Sequence, residues 1–293
     1  MPASPSDISS VDNLDRSDLG SQRLVTTLAR GLDVLAVFAY GELLGNLDIA
    51  SRTGLSKATV SRLCATLLAL GYLRLDERTR KYAMGGRLLA LGACVQHHSG
   101  LLVVAKPHML ALAASTGMTV GMAARDRLGM VFLDAARGAG PRVGTTSVGS
   151  VVPMAETALG LAYLSHAQPV ERIALLQQLR SAYGVGWPAV RDRIERAITE
   201  YQRDGFVVRV RSCEDSVSGV GASVLLPGAH GRIAFNCATT SDQHGIAQQL
   251  LRAGQALRSM VQAIERELSL QPPAPKRSIG GGRKATVTVF SSV

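Results

Sequence analysis

Between Ser56 and Leu70, Thr59, Arg62 and Thr66 recur three and four positions apart. On a helix that spacing aligns them in one polar stripe. A hydroxyl on such a stripe can bond to a base edge or a phosphate, and an arginine can grip guanine through two parallel hydrogen bonds. Ser56, Lys57 and Ser61 add polar groups around it. The helix N-terminus turns its partial positive charge toward phosphates. On the opposite side Val60, Leu63, Leu67 and Leu70 are expected to pack inward. Just downstream, Arg74, Arg78, Arg80 and Lys81 crowd a short segment, suited to phosphate contacts or minor-groove entry. The chemistry these residues offer is recognition of double-stranded DNA. An ordinary three-helix core with a solvated basic hairpin is the plainer reading. It does not account for cap, turn, stripe and basic hairpin agreeing with one another.

Other chemistries find less support. His97, His98 and His108 have no carboxylate at ligand spacing and are placed on a joining helix, where packed or solvated histidines are the expectation. Ser165 and Ser223 lack the G-x-S-x-G setting of a nucleophile. No phosphate-binding G-x-x-x-x-G-K-[ST] run occurs, and Gly280-Gly281-Gly282 stands in a tail without flanking elements. Cys64, Cys94, Cys213 and Cys237 form no C-x-x-C pair and read as small buried hydrophobes. No catalytic constellation, metal site or cofactor is expected.

Elements must position the stripe. Leu24, Leu28, Leu35 and Phe38 predict an amphipathic first helix. Leu47–Arg52 is a short second helix, Thr53-Gly54-Leu55 a tight turn, and Ser56 the cap of a third helix that Gly71 ends. Tyr72–Leu75 and Lys81–Met84 are strands of a hairpin across Asp76–Arg80. That order is a winged helix-turn-helix over residues 24–86, followed by a linker helix over 87–98.

From residue 99 to 270 the pattern is mixed, and an α+β domain with a mainly antiparallel sheet is expected. Leu101–Ser115 reads as a helix, kinked or broken at Pro107. Thr119–Ala124 and Met130–Ala135 read as a hairpin, and Arg142–Val148 as a further strand. Helices follow at Ala155–His166, Val170–Leu179 and Ala189–Asp204. Strands are expected at Phe206–Arg211, Gly219–Leu226 and Gly231–Ala238, the last two joined by a turn at Pro227–His230, with Gly245–Leu268 as a closing helix. Residues 1–23 and the basic stretch 271–293 read as disordered tails.

Bulk properties agree. The chain has 293 residues, 46% of them hydrophobic and 18% charged, enough for two folded domains. Its formal charge of +10 favours a polyanionic partner. Neither a signal peptide nor an apolar run of membrane-spanning length is seen, so a soluble, cytoplasmic protein without a membrane partner is expected.

The run from RGLDVLAVF through ASRTGLSKATVSRLCATLLALGYL to KYAMGGRLLALG resembles the DNA-binding domain of IclR-type bacterial transcriptional regulators. KPHMLALAASTGMTVGMAARDRLGMVFLD and VGSVVPMAETALGLAYLSH resemble that family's effector domain, so the resemblance covers about residues 24–270. It implies a winged head joined by a helix to a GAF-like domain that binds a small metabolite. It also implies a homodimer or homotetramer on operator DNA, with RNA polymerase as a further partner if the protein is an activator. The effector pocket it implies has Thr157, Ala158 and Leu159 on one wall, where helix N–H groups can hold a carboxylate. The other wall is Arg209, Gly219, Asn236 and Ala238. In RVRSCEDSVSGVGASV the cysteine that many members carry is replaced by Gly219, which would enlarge the pocket, and Arg209 would favour an anion. Asn236 in GRIAFNCATT is similar to members controlling protocatechuate and related aromatic-acid catabolism, so an aromatic or hydroxylated carboxylic acid is the expected effector. The alternative is a second domain that only assembles the oligomer and binds no ligand.

Overall fold

A computed structural model describes residues 25–38, 42–97, 100–141, 143–144, 146–210, 217–226, 231–241 and 245–270. The two tails, Leu24, His98, Arg142, Cys213 and the Pro227–His230 turn lie outside them.

The N-terminal head contains α1 (Thr26–Ala36), α2 (Asn46–Thr53), α3 (Lys57–Ala69), β1 (Leu73–Leu75) and β2 (Tyr82–Met84). Its core is Val34, Phe38, Leu44, Ile49, Val60, Cys64, Leu67 and Leu73. Two helix expectations need correction. On α1, Leu28 is 63% exposed, and the buried contacts come from Val34 and from Phe38 just beyond the helix end. On α3 the buried row is Val60, Cys64 and Leu67, an i, i+4, i+7 stripe, while Leu70 is exposed and Leu63 flanks α1 at Gly31. The hairpin also gains a third backbone partner: Leu44 exchanges hydrogen bonds with Tyr82 and docks the hairpin onto the helices.

Helix α4 (Gly86–His97) leads out of the head to α5 (Gly100–Thr116). Pro107 does not break α5. The carbonyl its missing N–H leaves without a helical partner belongs to Val103, on the exposed side of the helix. The second domain then runs β3 (Thr119–Asp126), β4 (Gly129–Ala136), β5 (Val151–Pro153), α6 (Ala158–His166), α7 (Pro169–Tyr183), α8 (Trp187–Asp204), β6 (Val207–Arg209), β7 (Ser218–Leu225), β8 (Arg232–Thr239) and α9 (Ile246–Leu270). The strands form one antiparallel sheet in the order β5-β4-β3-β8-β7-β6.

The strand expected at Arg142–Val148 is absent from the described residues of that stretch. The β-branched Val143, Thr145, Thr146 and Val148 of that run favour a strand by type, but Ser147–Ser150 closes into a turn. Ser150 Oγ donates to Ser147 O at 2.6 Å, and Gly149 takes a positive φ of 82°. The edge strand begins only at Val151.

Strand alternation splits the sheet into two faces. Val120, Met122, Val220, Ala222, Ile233, Phe235 and Cys237 pack beneath α5 and α9. Each large side chain there contributes roughly 1.5–3 kcal/mol by leaving water. Ala123, Phe132, Val207 and Ala234 pack beneath α6, α7 and α8. Residues that alternate with Phe235 and Val220, including Asn236, Ala238, Gly219 and Gly221, therefore share the α6 face.

Candidate DNA interface and effector face

Ser56 begins the reading helix as expected. Its Oγ accepts the Thr59 N–H at 3.2 Å and lies 2.9 Å from Thr59 Oγ1. Gly54, in the left-handed region at φ 68°, ends α2 and turns the chain into α3. Ser56, Lys57, Ser61, Arg62 and Thr66 are exposed on the side of α3 away from the core, with Thr59 half-buried by its tie to Ser56. Thr66 Oγ1 donates to the Arg62 carbonyl at 3.0 Å, so its hydroxyl proton is engaged while its lone pairs face out.

The hairpin tip is built around Asp76. Its Oδ1 accepts both the N–H and the hydroxyl of Thr79, at 2.8 and 2.7 Å. Those bonds hold the Asp76 carboxyl below its ordinary value. Arg80 follows in the left-handed region, φ 57°, with its N–H on the Asp76 carbonyl at 2.8 Å. Arg74, Arg78, Arg80 and Lys81 are all exposed. Lys81 Nζ also lies 3.9 Å from Asp48 Oδ2 on α2, and Asp48 accepts the Gly45 N–H at the start of that helix.

On the candidate effector face, Thr157 is the N-cap of α6. Its Oγ1 accepts the Gly160 N–H and donates to Pro153 O, both at 3.1 Å. The first turn of α6 lies flat on β7: a Cβ at Gly221 would meet Ala158 O at 2.1 Å. Asn236 stands opposite, registered with Gly121 on β3 and Gly221 on β7. Its side chain is enclosed, and its Oδ1 has no hydrogen-bond partner. A Cβ at Gly121 would meet that oxygen and the Phe132 ring, each at 2.5 Å. Ala238 and Arg209 flank Gly219 by register. The sequence expectation that Gly219 opens space is corrected: a Cβ there would meet Cys237 O at 2.7 Å, so the missing side chain allows backbone approach. The sheet and α6 thus bring Thr157, Ala158, Leu159, Asn236 and Ala238 together. Gly121 and Phe132 join them although no sequence signal singled them out; only strand register identifies them.

The hydroxyls considered as nucleophiles are consumed by backbone: Ser165 Oγ donates to Leu161 O at 2.7 Å and Ser223 Oγ to Ile233 O at 3.0 Å. His108 belongs to α5, not to the linker, and its Nε2 lies 3.0 Å from Glu267 Oε2 on α9. Burial pushes the Cys64 thiol up to about 11 and that of Cys237 to about 12, so both are inert. Among the described residues no group of three side chains could hold a metal, and no helix is long and apolar enough to cross a membrane.

A winged helix-turn-helix with its polar reading face outward, carried by a larger α+β domain, defines a transcriptional regulator rather than an enzyme. The IclR helix-turn-helix domain matches residues 27–77 and the C-terminal domain of bacterial IclR transcriptional regulators matches residues 93–266. The chain belongs to the IclR family. It is 42% identical to the HTH-type transcriptional regulator TsaQ1/TsaQ2 of Comamonas testosteroni, over 89% of this chain and 94% of that one. The crystal structure of an IclR family regulator from Brucella abortus superposes with a TM-score of 0.76 at 32% identity, covering 89% of this chain and 98% of that one. An IclR homologue from Microbacterium hydrocarbonoxydans, solved in complex with 4-hydroxybenzoate, shares the fold with a TM-score of 0.63 at 21% identity, covering 84% of this chain and all (100%) of that one.

Proposed function

We propose that the protein binds operator DNA through the α3 stripe and the basic wing, as a homodimer or higher homo-oligomer, and that a small hydroxylated or aromatic carboxylic acid on the α6 face changes that binding. Ser56, Lys57, Thr59, Ser61, Arg62 and Thr66 meet the major groove, and Arg74, Arg78, Arg80 and Lys81 meet phosphates or the minor groove. The observation that carries the effector reading is the Asn236 oxygen, buried without a partner beside the Phe132 ring. An orphaned buried acceptor costs about 1–3 kcal/mol, a cost that a ligand hydroxyl donating to it removes. The N–H groups of Ala158 and Leu159 in the first turn of α6, beside the one that Thr157 caps, suit the carboxylate of the same ligand. The 4-hydroxybenzoate complex of the Microbacterium homologue supports an acid of this size and chemistry.

The test is calorimetric titration with 4-hydroxybenzoate and a panel of aromatic and aliphatic hydroxy acids, paired with operator-binding assays. Heat and altered operator affinity with one class of acid, both lost in Asn236→Leu, are expected. Silence across the panel together with unaltered operator binding would leave the second domain as an assembly module only.

A further inference from the structure

The Ser147–Ser150 turn is fastened to both walls of the effector face and also confronts the DNA head. On one side, Phe132 N–H donates to Ser150 O at 2.9 Å, and Gly149 N–H donates to Phe132 O at 2.8 Å. The ring of that same phenylalanine closes over Gly121 beside Asn236 Oδ1. On the other side, the turn runs through β5 into Pro153, whose carbonyl accepts the Thr157 hydroxyl at the start of α6. The turn is stiff: Ser150 Oγ accepts the Ser147 N–H at 3.2 Å and donates to Ser147 O. At its tip Val148 is 53% exposed. Ser147, Val148, Gly149 and Ser150 form one side of a groove whose other side is Leu35, Ala36, Phe38 and Met84 of the winged head.

We infer that Phe132 is the positioning residue of regulation: its ring reads the effector face, and its backbone carries the displacement through the Ser147–Ser150 turn to the head at Leu35, Phe38 and Met84. A close-packed ring cannot move alone, because a void on one side or a clash on the other is costly. The two hydrogen bonds to Gly149 and Ser150 make the turn follow. Phe38 lines the groove and belongs to the core that seats α3, which links the groove to the reading helix. The inference rests on the effector face proposed above, but the route itself can be tested without any ligand.

In Gly121→Ala the new Cβ pushes the Phe132 ring from within. Operator affinity of the ligand-free full-length variant should change by about threefold or more, although Gly121 lies in the second domain. The same substitution made in a Val148→Ser background should produce a much smaller shift, since the turn then faces the apolar head side of the groove with a polar tip. Phe132→Leu provides a second perturbation of the same ring if Gly121→Ala melts early in circular dichroism, and its shift should likewise shrink with Val148→Ser. Equal shifts in both backgrounds would overturn the route through the turn. An operator affinity unmoved by either Gly121→Ala or Phe132→Leu in folded protein would overturn the role of Phe132. Neither outcome bears on whether an acid binds at Asn236, which the titration decides separately.

Discussion

Arg62 is exposed on the outward stripe of α3, and Thr66 adds a hydroxyl oriented by its bond to the Arg62 carbonyl. A bidentate contact from Arg62 to a guanine predicts that Arg62→Ala weakens specific operator binding by about 1–3 kcal/mol and relaxes preference at one base position. Titration of the operator and single-base variants checks this; an unchanged preference would take Arg62 off the reading face. Arg80 carries a different expectation. It sits on the wing with no helix to aim it, so Arg80→Ala should lower affinity for all DNA alike and flatten the salt slope by about one. Lys81 is shared with Asp48 and should contribute less, because the acid on α2 offsets part of its charge. A different residue governs acid stability. His166 is held below its ordinary value of 6.5, first by burial and then by the Arg232 cation, against a weaker opposing hydrogen bond to the Ser223 backbone. It stacks on Tyr201 at 5.7 Å, and Arg232 in turn faces Glu171 at 3.6 Å and the Tyr163 ring. As the pH falls below about 6.5 the unfolded chain takes up a proton at His166 that the folded chain resists, so folding stability drops in that window and not above it. Urea midpoints measured across it should fall for the wild type and fall less for His166→Gln; parallel curves would assign the acid loss elsewhere.

At the scale of elements, caps do more than delimit helices. Ser56→Ala removes the acceptor for the Thr59 N–H and should cost about 1 kcal/mol, seen as a lower melting temperature of the head and weaker binding to every operator. Loss of binding without loss of stability would show Ser56 acting only on DNA. Thr157 is a cap as well, so Thr157→Val cannot be a clean probe of ligand response, and Asn236→Leu is the better one. Much of this layer was legible in the sequence. Ser56, Gly54 and the alternating strands announce local geometry through side-chain capping, positive φ and period two, all properties of neighbouring residues. Three features were not. The Leu44–Tyr82 bridge pairs residues far apart in the chain, and only the packed head brings them together. The stretch leading into the Ser147–Ser150 turn is rich in valine and threonine, and the turn's own serine bonds override that strand propensity. Leu70 fits the helical period of α3, but it is the C-cap residue, beyond the last helical turn, and stays exposed. At the candidate effector face the sequence resemblance points to Asn236 and Thr157, while Gly121 and Phe132 beside them emerge only from the registers of β3 with β4 and β8.

At the scale of the molecule, one chain presents one reading helix, whereas a two-fold operator presents two half-sites about one helical turn apart. The chain's surface is consistent with pairing. Val25, Leu28 and Leu32 form an i, i+3, i+7 row on α1 and are 67%, 63% and 58% exposed, and Leu89 on α4 is 77% exposed. None of these leucines serves the core of its own head, and a second copy of the chain is one partner that could cover an exposed apolar row of this kind. If a second copy covers them, a charge placed there must be desolvated in the dimer but not in the monomer. Leu28→Glu and Leu32→Glu should therefore leave the head folded, since both side chains already face water, yet shift the protein toward monomer in light scattering at micromolar concentration. Operator binding should weaken well beyond the loss from any single phosphate contact, because each half-site must then be bound without its neighbour. Retention of the oligomer in both variants, with unaltered operator affinity, would locate the assembly surface on the α+β domain and leave the α1 row without a role in pairing.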